Sequence, residues 1–177
     1  VYELKEKIMA EQQRNPNLMN PAMMRQSQST SGIGENVQLM SEILTKVNNA
    51  KDKPKKIEVL RRYDTNELRM LMKGAFDPKL EWLMPEGKPP YKPNEAPIGT
   101  EHTWLKSEVK RMFHFLKGGN PQLSQMKRDT MFIQMLEGLC AEEAQLLLWV
   151  KDKELNKHYK GLTANLIKEA FGWNDDF

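Results

Sequence analysis

Hydrophobic positions recur at helical spacing along the chain from residue 37 onward. In the first such stretch, 37–50, the apolar residues stand three or four positions apart: Leu39, Met40, Ile43, Leu44 and Val47. A stripe with this period predicts an amphipathic helix whose apolar side faces a core. Comparable stretches follow at 53–63, 66–76, 103–119, 124–140, 141–155 and 163–171. Because no stretch alternates with the period of two that is typical of strands, we predict an all-α fold: one domain, 37–177, of about six to seven helices.

Residues that typically begin or end helices separate these stretches. Asp64 stands three positions before Glu67, which is the spacing of a capping box, so we expect Asp64 to begin the helix of 66–76. Thr163 is expected to cap the last helix through its hydroxyl. Gly118 and Gly119 are expected to end the helix of 103–119, because glycine is favoured just past a helix end.

Two helices carry further expectations about their side chains. The stretch 103–119 is interpreted as one α-helix with these inward residues: Trp104, Val109, Met112, Phe113 and Leu116. In the stretch 141–155, Glu142 and Glu143 fall in the first turn, where the helix dipole favours negative charge.

Two segments lack the helical pattern. Residues 1–36 are polar and rich in methionine, and they hold too few apolar residues to fold alone. We expect a flexible tail or one that binds a partner, with Met19, Met23 and Met24 as the contact residues, since methionine adapts to irregular surfaces. Residues 85–99 contain five of the ten prolines, which predicts a loop without strand pairing. Such a loop serves as a docking ligand or as a rigid connector, and we favour the connector.

Composition narrows the class of protein. With 39% hydrophobic and 29% charged residues, the chain is typical of a soluble globular protein with a core of moderate size. Cys140 is the single cysteine, so no internal disulfide forms and a reducing compartment is favoured. The longest apolar run, 146–150, is far too short to cross a bilayer, so no membrane partner is expected.

The sequence contains no recognisable catalytic pattern. His102, His114 and His158 lie far apart, and none has a Cys or His at metal-ligand spacing. We interpret His114, between two phenylalanines, as a packing residue and Cys140 as core filling. Glycine-rich phosphate loops and Gly-x-Ser-x-Gly turns are absent. We therefore expect no enzyme: no catalytic residue, no metal, no cofactor and no small-molecule substrate.

Basic residues are grouped in two places. The net charge is only +3, yet 51–62 holds six lysines and arginines against two acids. A second group surrounds the "YKGLT" turn at 159–163. Such clusters bind phosphates by releasing counterions, although they also occur on ordinary solvated surfaces. The backbone N–H groups at the helix start near Thr163 offer a site for the same anion.

The order of the helices adds a resemblance. "KIEVLRR" within 56–62, "NELRMLMKGAF" at 66–76, "EEAQLLLWVKDKEL" at 142–155 and "GLTANLIKEAF" at 161–171 resemble the helical N-terminal DNA-binding domain of phage-type ATP-dependent DNA ligases. The whole of 37–177 also resembles a family of small uncharacterised proteins of large tailed phages. The Lys-x-Asp-Gly motif of adenylation is absent from the chain, so ligation itself is excluded.

The resemblance implies a non-enzymatic accessory protein that binds the backbone of duplex DNA with low sequence specificity. The implied contact residues are the following: Lys53, Lys55, Lys56, Arg61, Arg62, Lys157, Lys160 and Thr163. The alternative is a phage virion or assembly component whose tail and proline-rich loop bind neighbouring phage proteins. The expected location is the cytoplasm of the infected bacterial host or, for the alternative, the virion.

Overall fold

The computed structural model describes residues 39–97, 100 and 102–173. The tail of 1–36, with its three methionines named above, lies outside these residues. The described helices, in chain order, are α1 (Met40–Asn49), α2 (Lys53–Arg62), α3 (Asn66–Phe76), α4 (Leu105–Glu108), a 3₁₀ helix (Val109–Phe115), α5 (Gln125–Gly138), α6 (Ala141–Lys151), α7 (Leu155–His158) and α8 (Ala164–Phe171).

The predicted all-α class is confirmed. The described residues contain no strand, and their only extended pairings are two isolated bridges, Trp82–Leu116 and Thr103–Leu139. Two of the eight α-helices, α4 and α7, have four residues each, which is too short to produce a periodic pattern in the sequence. None of the helices in this part of the chain combines the length and apolar character needed to cross a membrane.

Helix α6 lies at the centre of the core. Its buried apolar residues surround the helix axis instead of forming a stripe: Ala144, Leu146, Leu147, Leu148 and Val150. A helix that is apolar on all sides must be enclosed by other elements. Helices α1, α3, α4, α5 and α7 pack around it, so α6 organises the domain.

Helix α1 matches its prediction closely. All five residues of the predicted stripe are buried: Leu39, Met40, Ile43, Leu44 and Val47. Burial of side chains of this size contributes roughly 1.5–3 kcal/mol each, so the helix is stabilised mainly by packing on its neighbours. The prediction is confirmed for α1 because the helical period depends only on the local sequence.

The predicted cap of α3 was wrong by one residue. Thr65, not Asp64, is the N-cap, and its hydroxyl accepts a hydrogen bond from the Leu68 N–H at 3.2 Å. Asp64 instead binds the guanidinium of Arg69, with 2.6 Å between Oδ1 and Nε. This hydrogen bond lowers the pKa of the Asp64 carboxyl. Asp64 therefore joins the start of α3 to its second turn without capping the helix.

The predicted single helix of 103–119 was also wrong. The segment folds as the short α4 followed by a 3₁₀ helix. In a 3₁₀ helix residues three apart eclipse one another, so Val109, Met112 and Phe115 share the buried face. Trp104 and Phe113, predicted to face inward, are 37% and 44% exposed. Gly118, three residues after the end of the 3₁₀ helix, has a φ of 81°, which agrees with its predicted role as a stop.

Glu143 has a role in addition to the one predicted. It lies in the first turn of α6, as expected, but its side chain is buried and reaches two other helices. One carboxylate oxygen accepts from the Met40 N–H at 3.2 Å and the other from the Leu105 N–H at 3.1 Å. Both N–H groups lie at the start of a helix, α1 or α4, where backbone donors have no hydrogen-bond partner within their own helix. Glu143 therefore connects three helix N-termini at the core.

The proline-rich loop is fastened to the domain by its backbone. Within its described part, 85–97, no helix or strand forms, as predicted. The buried Lys151 ammonium donates to the carbonyls of Pro85 and Gly87, at 2.6 and 3.1 Å, and pairs with Asp152. Asp152 in turn accepts from the Gly87 N–H. These internal bonds favour the connector interpretation of the loop.

Candidate nucleic-acid interface

The two basic groups of the sequence meet where α1, α2 and the 161 turn come together. The Gly161 N–H donates to Asn48 Oδ1 at 2.9 Å, although 113 positions separate the two residues. A Cβ at position 161 would lie 2.7 Å from Lys56 Nζ, which is closer than a side chain tolerates. A larger residue at position 161 would therefore displace the Lys56 ammonium from its place beside the turn. The residues just before α8 lie beside the start of α2.

Lys56, a predicted phosphate contact, is fully engaged within the domain. Its ammonium donates to the carbonyls of Val47, Asn48 and Ala50 at 3.1, 2.8 and 2.9 Å. An ammonium has three hydrogens, so none remains for a ligand. The bound carbonyls belong to the end of α1, where backbone acceptors lack helical partners and the dipole is negative. Lys56 therefore serves as the C-terminal cap of α1.

Arg61 and Lys53 are bound to α8. Arg61 Nε donates to the Ala170 carbonyl at 3.0 Å, and Nη2 donates to the Glu169 carbonyl at 3.4 Å. Lys53 forms an exposed ion pair with the Glu169 carboxylate. An exposed pair contributes about 0–1 kcal/mol, so Lys53 is readily released to a stronger anion. Arg61 is the firmer of the two because it satisfies carbonyls at a helix end.

Lys55 and Arg62 are exposed, and their side chains have no partner among the described residues. Together with Lys46 they line an open cleft of about 440 Å³ between α1 and α2. Lys46 donates to the Tyr63 hydroxyl at 3.3 Å and lies 5.5 Å from the centre of its ring. Glu58 is the one acid in the cleft lining. The cleft thus presents three cations against one carboxylate.

We call this set, Lys46, Lys55, Arg62 and Lys160, the basic surface. Lys160 is exposed, has no side-chain partner within the described ranges, and directly precedes Gly161. Lys46 was missed in the sequence analysis. Its signal was present, since Lys46 is a basic residue in the last turn of a helix, where the dipole favours positive charge.

Thr163 is the N-cap of α8, as predicted. Its hydroxyl oxygen accepts from the Leu166 N–H at 3.2 Å. Lys157, in contrast, pairs with Glu154 at 2.9 Å on an exposed part of α7. This hydrogen bond raises the pKa of Lys157 and lowers that of Glu154. Lys157 is therefore partly neutralised, whereas the start of α8 keeps its free backbone donors beside Lys160.

Three of the other candidates for chemistry, Cys140, His114 and His158, are packed against neighbouring residues. Cys140 is 2% exposed, as predicted for core filling, and burial raises the pKa of its thiol. His114 contacts the ring of Phe113 and lies 3.0 Å from the Asn120 amide nitrogen. His158 stacks on Trp149, with 4.0 Å between the ring centres. Over the described residues, no three His, Cys, Asp or Glu side chains gather where they could hold a metal ion.

Comparison with known proteins adds the family. No curated protein and no solved structure matches the chain. The model of a family of unknown function, DUF6433, matches residues 43–157. The match covers more than half of the chain and includes α2, α3, α5, α6 and most of α1. The chain therefore belongs to the DUF6433 family.

Proposed function

We propose that this protein is a non-enzymatic, phage-type accessory protein that binds the phosphate backbone of duplex DNA with low sequence specificity. The observation that carries the proposal is the convergence of the two basic segments: the 159–163 turn approaches Lys56 of α2, and the Gly161 N–H is bonded to Asn48 at the end of α1. Cations that are assembled from distant segments, yet have few partners inside the domain, remain available to a polyanion.

The charge of the basic surface suits phosphates. Lys55, Arg62 and Lys160 have no internal anion among the described residues, so binding a phosphate breaks no existing ion pair there. Each contact also releases counterions from DNA, which supplies most of the free energy of non-specific binding. The start of α8 adds backbone N–H donors and the positive end of its dipole.

The resemblance to the DNA-binding domain of phage-type ligases supports the same function. Two of its implied contact residues, Lys56 and Arg61, are bound to helix ends in this chain. The proposal therefore retains Lys55, Arg62 and Lys160 from the implied set as the phosphate-binding residues. Low specificity follows because these are flexible charged side chains, which contact backbone oxygens without reading base edges.

The test is a triple variant, Lys55→Ala, Arg62→Ala and Lys160→Ala, measured for duplex binding at several salt concentrations. We expect markedly weaker binding, with the slope of log affinity against log salt reduced by about one for each phosphate-binding side chain removed. The control removes equal charge from exposed lysines elsewhere: Lys92, Lys106 and Lys127.

The control variant should keep the wild-type affinity and salt slope. Equally weakened binding in both variants would show attraction by net charge alone, which contradicts a localised surface. Absence of duplex binding by the wild type at low salt would refute the function and favour the alternative, a virion or assembly component.

A further inference from the structure

A second concave surface, the α1–α6 groove, adjoins the basic surface. It has a volume of about 630 Å³, within the range of roughly 300–1,000 Å³ typical of ligand pockets, and it is open to solvent. Its lining comes from the outer faces of α1 and α6 and from the residue after α7: Ser41, Glu42, Thr45, Lys46, Ala141, Glu142, Gln145, Trp149 and Tyr159.

The groove has an aromatic wall. The Trp149 indole is nearly parallel to the His158 imidazole, with an interplanar angle of 13°. The Tyr159 ring is nearly perpendicular to the indole, with 5.7 Å between the ring centres. His158 is not part of the groove lining, so it holds the indole from one side while other indole surface borders the groove. A ring fixed in this way stacks on a planar ligand without losing rotamer freedom on binding.

The polar groups in the groove suit the edge of a nucleobase. The Gln145 amide has no partner among the described residues, and an amide both donates and accepts. Glu42 and Glu142 add carboxylates, which accept from the exocyclic amino groups of bases. The same carboxylates repel phosphate, so the groove is suited to a base and not to the backbone.

Lys46 connects the groove to the basic surface. It lines both the groove and the cleft that contains Lys55 and Arg62. A strand whose phosphates lie along the cleft therefore brings its next nucleotide to the mouth of the groove. In a paired duplex the base is stacked inside the helix, whereas an unpaired base is free to enter.

We propose that the α1–α6 groove binds an unpaired nucleobase by stacking on Trp149. This inference rests on the proposed function and makes it more specific: the substrate is DNA in which duplex meets single strand. Base–aromatic stacking tolerates any base, which is consistent with low sequence specificity.

The experiment compares two duplexes that carry overhangs of equal length and charge. One overhang consists of deoxyadenosines and the other of abasic sites, so the two differ only in their bases. The full chain should bind the deoxyadenosine overhang roughly fivefold or more tightly than the abasic one, as expected for a stacked base. Equal affinity for the two overhangs would overturn the inference.

Filling the α1–α6 groove tests whether the unpaired base binds there. Ala141→Trp places a bulky ring in the groove, and because Ala141 lies outside the cleft with Lys55 and Arg62, it should abolish the preference while leaving blunt-duplex binding intact. Asn66→Trp is the matched control, because both residues are exposed and each is the first residue of its helix. Trp149→Leu, which keeps apolar bulk without the aromatic face, should also abolish the preference, with folding checked by circular dichroism.

The outcomes separate the two proposals. A preference that persists in both Ala141→Trp and Trp149→Leu overturns the groove assignment but does not affect the proposal of duplex binding. Failure of the wild type to bind blunt duplex overturns the proposed function and, with it, this inference.

Discussion

Replacing Lys56 by methionine should destabilise the domain far more than the same change at its neighbour Lys55. The Lys56 ammonium donates to three carbonyls at the end of α1, and methionine keeps the length of the side chain but none of the donors. Lys55 is exposed and has no side-chain partner in the described part of the chain. Comparing Lys56→Met with Lys55→Met therefore separates the loss of the cap on α1 from the simple removal of a positive charge.

The magnitude follows from which carbonyls are left without their donor. Val47 O keeps a second donor, the Ala50 N–H at 3.3 Å, so the effect falls mainly on the carbonyls of Asn48 and Ala50. A hydrogen bond to a charged donor contributes about 1.5–3 kcal/mol, and partial exposure lets water replace some of it. We expect Lys56→Met to lower the free energy of unfolding by about 2–3 kcal/mol.

Thermal and urea denaturation measure this difference. For a domain of this size about 1 kcal/mol shifts the melting temperature by roughly 3–4 °C, so Lys56→Met should melt roughly 6–12 °C below the wild type. Lys55→Met should stay within about 0.5 kcal/mol of the wild type. Duplex binding should show the reverse order, with Lys55→Met the weaker binder. Equal stability of the two variants would refute the capping role of Lys56.

Two further predictions concern buried charges. Burial raises the pKa of Glu143, against the opposing effect of its two backbone hydrogen bonds. The folded state therefore binds the proton more tightly than the unfolded state does. As pH rises from the ordinary glutamate pKa through the raised pKa, the stability of the wild type relative to Glu143→Gln should fall. Urea denaturation of both proteins across this pH range measures the difference in their free energies of unfolding. A relative stability that rises with pH would mean that the hydrogen bonds affect the Glu143 pKa more than burial does. Lys151→Met should release the proline-rich loop, at a cost of about 2 kcal/mol for the unpaired carbonyls, and hydrogen exchange at Gly87 should accelerate. The exposed Lys157→Met is its control, and unchanged exchange at Gly87 in Lys151→Met would contradict the anchoring role.

Part of the candidate site could be predicted from the sequence. The basic character of 51–62 and the cap at Thr163 were both predicted, because charge and capping residues are visible in a short window. Which cations remain free was not predictable. Lys55 and Lys56 are adjacent and chemically identical, yet they lie on different sides of α2. Only the packing of that helix against α1 decides which of the two ammonium groups forms hydrogen bonds within the domain.

The sequence by itself determined the all-α class, the stripe of α1 and the cap of α8. These features depend on interactions within about four residues, such as the 3.6-residue period and the hydroxyl–backbone bond of an N-cap. The 3₁₀ conformation of Val109–Phe115 departed from the expected α-helix. Trp104 and Phe113 are exposed where the helical pattern predicted burial.

Only the tertiary structure decided which polar groups are buried and which distant segments meet. Glu143 binds backbone donors 103 and 38 positions away, Arg61 reaches a carbonyl 109 positions away, and Gly161 meets Asn48 across 113. Nothing local to these residues encodes such partners, since each contact exists only after the hydrophobic faces of separate helices have packed together. Local sequence thus defines the helices, whereas their packing selects the cations that remain exposed to a ligand.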